Sequence, residues 1–141
     1  MTADAERAAA PGTDTAAAGA AVGGRTPAGT WTARVARPGG TYTSVLHFTV
    51  DGRVFLDSGG AGTWWATAGE GAFAFRIAEP VLDGGACAGW VDVEQRAVLS
   101  GDGGAFGGEG TSVVYGADGA RRRVARVGIA ARARRPGVPP A

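Results

Sequence analysis

Glycine-centred breaks dictate what this chain can fold into. Asp51-Gly52 sits between Val50 and Val54, Gly69-Glu70-Gly71 separates two aromatic runs, and Asp118-Gly119 precedes the last β-type run. An Asp-Gly pair between alternating apolar residues is a strong two-residue hairpin signal, because glycine accepts the positive φ such a turn needs. Further breaks lie at SGGAG (58–62), LDGGA (82–86) and SGDGG (100–104). Between them run short segments of period two: 30–36, 41–50, 53–57, 63–68, 72–79, 87–94 with an extension toward Leu99, 105–115 and 120–133. That spacing predicts eight strands and an all-β fold, and no ten-residue window within it has helical periodicity. Strands joined by tight hairpins favour an antiparallel up-and-down meander. Eight of them close most naturally into a β-barrel, whose interior holds side chains or one small ligand, and closure removes exposed edges. A two-sheet sandwich is the alternative.

Composition confines the barrel to the middle of the chain. Of 141 residues 45% are apolar, but 30 residues are alanine and 11 of those fall in the first 28 positions. So few large side chains cannot offset the entropy of ordering, so 1–28 is expected to be a disordered N-terminal tail. The barrel domain is expected over 29–132, with a flexible C-terminal tail at 133–141. The net charge of +1 argues against bulk attraction to nucleic acid or an anionic membrane. Seven of the 14 arginines lie in the last 21 residues, without a recognisable nucleic-acid motif, and read as a solvated strand and tail. The sequence has no lysine or asparagine, both encoded by A/T-rich codons, which points to a high-GC genome such as an actinobacterium's.

Cys87 and His47 are the only residues of their types, so an intrachain disulfide cannot form and a His/Cys zinc site lacks ligands. The glycine-rich stretches lack the Lys-Ser/Thr and helix of a phosphate loop. No cofactor is therefore expected. The opening MTADAERAAAPGT carries acid early and has no apolar core of signal-peptide length, and no run approaches a membrane span. A cytoplasmic protein is expected.

GTW at 29–31, FTVDGRV at 48–54, GTWW at 62–65 and VVYGADG at 113–119 together resemble lipocalin-like (calycin) barrels: a Gly-x-Trp opening strand followed by hairpins with a repeated Asp-Gly turn. Small cytoplasmic barrels of similar length occur among actinobacterial polyketide cyclases, including spirotetronate-type cyclases. The resemblance covers about residues 29–132. It implies a barrel with an apolar interior and carries no catalytic residue across, since none of the matched motifs is catalytic. The chain departs from secreted lipocalins in having no disulfide and no C-terminal helix pattern.

The candidate site follows from strand parity. Phe73, Phe75, Ile77 and Glu79 alternate on one face, which puts a carboxylate at the barrel mouth above aromatic neighbours. There, desolvation would raise its pKa and suit it to acid–base work. Tyr42, Phe48, Trp65, Phe73, Phe75 and Trp90 are expected to form an apolar cavity wall. Trp64 and Trp65 must point to opposite faces. Trp65 is assigned to the interior, and Trp64 to a surface covered by the tail or by the second copy of a homodimer. Val91 and Val93 look like the inward set of their strand, which leaves Asp92 and Glu94 facing solvent. His47 is expected on the polar exterior and Cys87 in the core. These features fit a cofactor-independent cyclase, or a cycloaddition catalyst, acting on a hydrophobic polyketide-like intermediate held inside the barrel. A non-catalytic binding protein for a lipophilic small molecule is the alternative, and nucleic-acid binding a distant third.

Overall fold

A computed structural model of the protein describes residues 25–134. It is a closed, all-antiparallel barrel of eight strands in sequence order, with the last strand hydrogen-bonded to the first. The strands are β1 (Gly29–Arg37), β2 (Gly40–Phe48), β3 (Arg53–Leu56), β4 (Ala61–Ala66), β5 (Ala72–Asp83), β6 (Ala86–Leu99), β7 (Ala105–Gly116) and β8 (Arg121–Arg134). Closure is set by register: Val35 faces Ile129, Ala33 faces Ala131 and Trp31 faces Ala133.

The hairpins form where turn chemistry places them. At Asp51-Gly52, Gly52 takes a φ of 95°, its amide reaches Thr49 O, and Thr49 N closes the loop onto Arg53 O at 2.8 Å. The β5–β6 hairpin is tighter than the sequence suggests. Asp83 pairs directly with Ala86, and Gly84 and Gly85 both have positive φ, as a two-residue type I′ turn requires. Strand β5 therefore continues four residues past the expected end at Glu79, through Pro80, Val81, Leu82 and Asp83. Two bulges accompany these long strands. Ala88 is the extra residue opposite the Val81/Leu82 step, and Arg122 the extra residue opposite the Val114/Tyr115 step.

The strands are unequal, and this polarises the barrel. β3 has 4 residues and β4 has 6, whereas β5 to β8 have 12 to 14. The end carrying the turns at 38–39, 57–60, 84–85 and 117–120 is termed the upper end. The lower end carries the turns at 49–52, 67–71 and 100–104.

The lower end is closed by segment 25–28. Pro27 is fully buried and its carbonyl accepts a 2.7 Å hydrogen bond from Trp31 Nε1. Arg25 reaches across to Gly101 O on one turn and to Glu70, 3.7 Å away, on another. These four residues belong to the barrel and not to the tail that composition suggests, and at the other terminus β8 runs on to Arg134. The rest of the two expected tails, 1–24 and 135–141, lies outside the described residues. No helix among the described residues is long and apolar enough to cross a membrane.

Candidate functional site

The inward face divides along the barrel axis into two halves of different chemistry. The lower half is a packed aromatic cluster. Phe48, Phe73, Phe75 and Phe106 meet mostly edge-to-face at centroid separations of 5.2 to 6.4 Å, and Trp31 joins through Phe106 at 4.8 Å. Such geometries suit the ring quadrupole, and each ring buries a large apolar area. Leu46, Val54, Trp64, Ile77, Leu99 and Ile129 belong to the same cluster, with Ala33, Ala97 and Ala131 between them.

The upper half carries small side chains. From the aromatic layer upward, the inward positions of β6 are Val93 and Val91, those of β7 are Ser112 and Val114, and those of β8 are Val127, Ala125 and, opposite Val114 at the rim, Arg123. Burial falls off in the same direction on β2, β5 and β8, whereas on β6 Val91 is more buried than Val93 below it. On β2 the inward series goes from fully buried Leu46 through half-buried Ser44 to Tyr42, 53% exposed; on β5 it goes from Ile77 through half-buried Glu79 to exposed Val81. On these two strands exposure of the inward face thus begins at about the level of Ser44 and Glu79.

Two buried polar residues lie on this inward face, Gln95 and Ser112. Gln95 is 1% exposed, lies between Phe75 of β5 and Gly110 of β7 in register, and its Oε1 has no hydrogen-bond partner. Across from it the wall lacks a side chain. A Cβ at Gly110 would sit 1.7 Å from the Glu94 carbonyl oxygen, so only glycine permits the two strands to approach this closely.

The structure distributes the expected site residues over three places. Phe48, Phe73 and Phe75 are inward but lie within the packed lower cluster. Glu79 and Tyr42 sit on the inward parity at the upper rim. Ser58 Oγ donates to Glu79 Oε2, and the Arg37 guanidinium lies over the Tyr42 ring at 5.6 Å. Trp65 and Trp90 are outside, so neither adds to an interior wall.

The two adjacent tryptophans are reversed relative to expectation. Trp64 is the inward one, 3% exposed, with its indole Nε1 donating to Thr49 O at 2.7 Å. Trp65 is half-buried on the outer face beside Ala74, its register partner, which has no exposed surface although it too points outward. Trp90 stacks on Tyr115 at 5.3 Å on the outer face, opposite the inward Val91 and Val93. Cys87, expected in the core, is exposed near the β5–β6 hairpin tip, because the Ala88 bulge resets parity above it.

His47 lies on the polar exterior as expected, its Nδ1 2.8 Å from Thr30 Oγ1. Asp92 faces out and meets Arg76 at 3.4 Å. Among the described residues no group of three or more His, Cys, Asp or Glu side chains is placed to hold a metal ion. The sequence reading missed Gln95 and Ser112. The signal for Gln95 was present in WVDVEQRAVL, where it shares parity with Val91, Val93, Ala97 and Leu99 and so puts an amide on an otherwise apolar face.

No family model, curated protein or solved structure matches this chain. The closed eight-stranded antiparallel architecture is consistent with a lipocalin-like barrel.

Proposed function

We propose that the protein binds a small hydrophobic molecule in the upper half of its barrel. The observation that carries this reading is the gradient along the inward face, from close-packed rings below to small aliphatic side chains and rising exposure above. An eight-stranded barrel is just wide enough to fill itself or to hold one small ligand. Here the close-packed phenylalanine rings lie in the lower half. An apolar wall with few polar groups is the usual make-up of a small-molecule site.

Glu79 supports catalysis as a second reading. Its carboxylate is on the inward face of the open end, oriented by Ser58, at the level where a bound molecule would meet solvent. In the cyclase form of this proposal, a polyketide-like chain folds in the upper half and Glu79 serves as acid or base. Glu79→Gln would then slow cyclisation by about 10²–10⁴-fold, the range for general acid–base catalysis, and leave binding intact.

The binding proposal is tested by titrating the protein with naphthalene-sized neutral aromatics while following backbone amide resonances. Saturable shifts at Val91, Val93, Ser112 and Ala125, with little change at Phe73 and Leu99, are expected. Absence of saturable binding, or shifts confined to the outer face around Trp90 and Tyr115, would overturn it.

A further inference from the structure

We propose that Gln95 is the polar anchor of the bound molecule, its Oε1 accepting a hydrogen bond from a neutral hydroxyl on an otherwise apolar ligand. The inference rests on the binding reading above and specifies its ligand chemistry.

Gln95 is 1% exposed, its side chain lies on the inward parity between Val93 and Ala97, and its Oε1 is without a hydrogen-bond partner. A buried amide oxygen with no donor is unfavourable, and a thioether or aliphatic side chain of similar size would pack there without that penalty. The fold thus draws no hydrogen bond from this oxygen.

Its position gives it a use. Gln95 stands at the step between the two halves of the interior: Phe75 is its register partner on β5, and Gly110, with no side chain, is its partner on β7. An acceptor there lies on the inward face where the aromatic layer gives way to the smaller side chains of the upper half.

The chemistry of the group selects the ligand. Oε1 only accepts, so the ligand must donate. The inward carboxylate Glu79 is at the rim with Ser58 and not at this depth, so the floor is uncharged and favours a neutral donor over a cation. Ser112 is buried on the same face, one diagonal step up from Gln95 because Gly110 is the direct partner. A hydroxyl both donates and accepts. An alcohol, phenol or enol therefore matches an acceptor and a serine side by side better than an ether, ketone or ammonium group does.

The test uses two probes of one skeleton, 2-naphthol and 2-methoxynaphthalene, titrated into the full chain by tryptophan fluorescence. Wild type should prefer the naphthol by about tenfold, the scale of one neutral hydrogen bond made in a buried site. Gln95→Met should abolish the preference while 2-methoxynaphthalene still binds within about twofold of wild type. The melting temperature of Gln95→Met should equal or exceed that of wild type.

Equal binding of both probes by wild type overturns the anchor and leaves the hydrophobic site standing. So does a preference that survives in Gln95→Met, which places the anchor elsewhere. A melting temperature lowered by several degrees shows that the amide is satisfied within the fold and also overturns it. If neither probe binds up to its solubility limit, the binding reading itself falls, and the anchor with it.

Discussion

Gln95 on β6 and Gly110 on β7 face each other across the sheet, and the glycine leaves the amide without a directly opposed side chain on that strand. The glycine is a requirement of the backbone. Gly108 and Gly110 both point inward, and a Cβ would lie 2.4 Å from Arg96 O at the first and 1.7 Å from Glu94 O at the second. The barrel wall bends here so tightly that β6 and β7 occupy the space of two methyl groups. One step of the wall thus accommodates the curvature of the fold and bares the side of a buried polar group.

Gly110→Ala should accordingly be among the most destabilising single-methyl additions in the protein, by about 3 kcal/mol or more, because the obstacle is backbone and cannot rotate away. Gly107→Ala is the control. It lies on the outer face of the same strand, and its added Cβ would be 3.8 Å from Ile129 O, an ordinary contact. Alanine there should be neutral or stabilising by up to about 1 kcal/mol through reduced chain entropy. Chemical denaturation of both variants measures the difference, and equal midpoints would contradict the close approach.

The tryptophan pair gives a second asymmetry. Trp64→Ala removes a buried ring from the core cluster and deprives Thr49 O of its indole donor, so it should cost about 3–5 kcal/mol. Trp65→Ala removes a half-buried ring on the outer face and should cost no more than about 1–2 kcal/mol. Fluorescence should separate them as well: Trp64 is shielded from aqueous quenchers such as iodide and Trp65 is not. A larger loss at Trp65 would reverse the facing of β4.

This pair marks the limit of what the sequence could reveal. Hairpins at Asp51-Gly52, Gly69–Gly71 and Asp118-Gly119 were legible because their signal is local: glycine at a positive φ between runs of period two. Barrel closure was legible from the count of such runs. The facing of β4 was not, since Gly62, Trp64 and Ala66 on one side and Thr63, Trp65 and Thr67 on the other each offer one large ring among small residues. What decides it is non-local. Gly62 lies against Arg76 O, where no Cβ fits, and Trp64 reaches Thr49 O across 15 positions of sequence. For the same reason Phe48, Phe73 and Phe75 were recognisable as inward, but their packing against one another was not, because ring contacts depend on how far each strand is staggered along the axis. Gln95 was legible by parity and was overshadowed by the aromatics.

Acid titration offers a local check on the β7–β8 turn. The Asp118 carboxyl is held below its ordinary value of 3.8, chiefly by the backbone N–H of Ala120; desolvation opposes this, and the Arg122 guanidinium 3.2 Å away lowers it further. A depressed folded-state pKa means that the contribution to stability is complete above the unfolded value and is lost as pH falls through the folded one. The turn should therefore hold at neutral pH and loosen only below about pH 3.8. A carbon-detected titration of the Asp118 carboxyl should give a midpoint below that of a free aspartate. Asp118→Asn, which keeps an acceptor oxygen for Ala120, should remove the pH dependence of the turn amides. A midpoint at or above 3.8 would show that the Ala120 bond does not persist in solution.

The division of the interior into a filled half and an open half can be tested without any ligand, by adding bulk at two inward alanines. Ala97 is buried among the lower rings, opposite Phe73 on one side and Gly108 on the other. Ala125 is half-buried in the upper half, opposite Ser112. Close-packed cores resist extra methyl groups, so Ala97→Val should cost about 1–3 kcal/mol, by pushing rings off their rotamers or strands apart. Ala125→Val enters a region lined by small side chains and open to solvent, and valine also suits a strand better than alanine, so its effect should stay within about 0.5 kcal/mol of zero. Phe75→Ala supplies the reciprocal measurement: removing a ring in contact with Phe48, Phe73 and Phe106 should cost about 3–5 kcal/mol. A ring that merely lined an unfilled space would cost much less. Together the three midpoints locate the boundary between packed and open interior. Equal penalties for the two valine variants would show that the barrel is filled from end to end, leaving no room above Gln95 for a ligand.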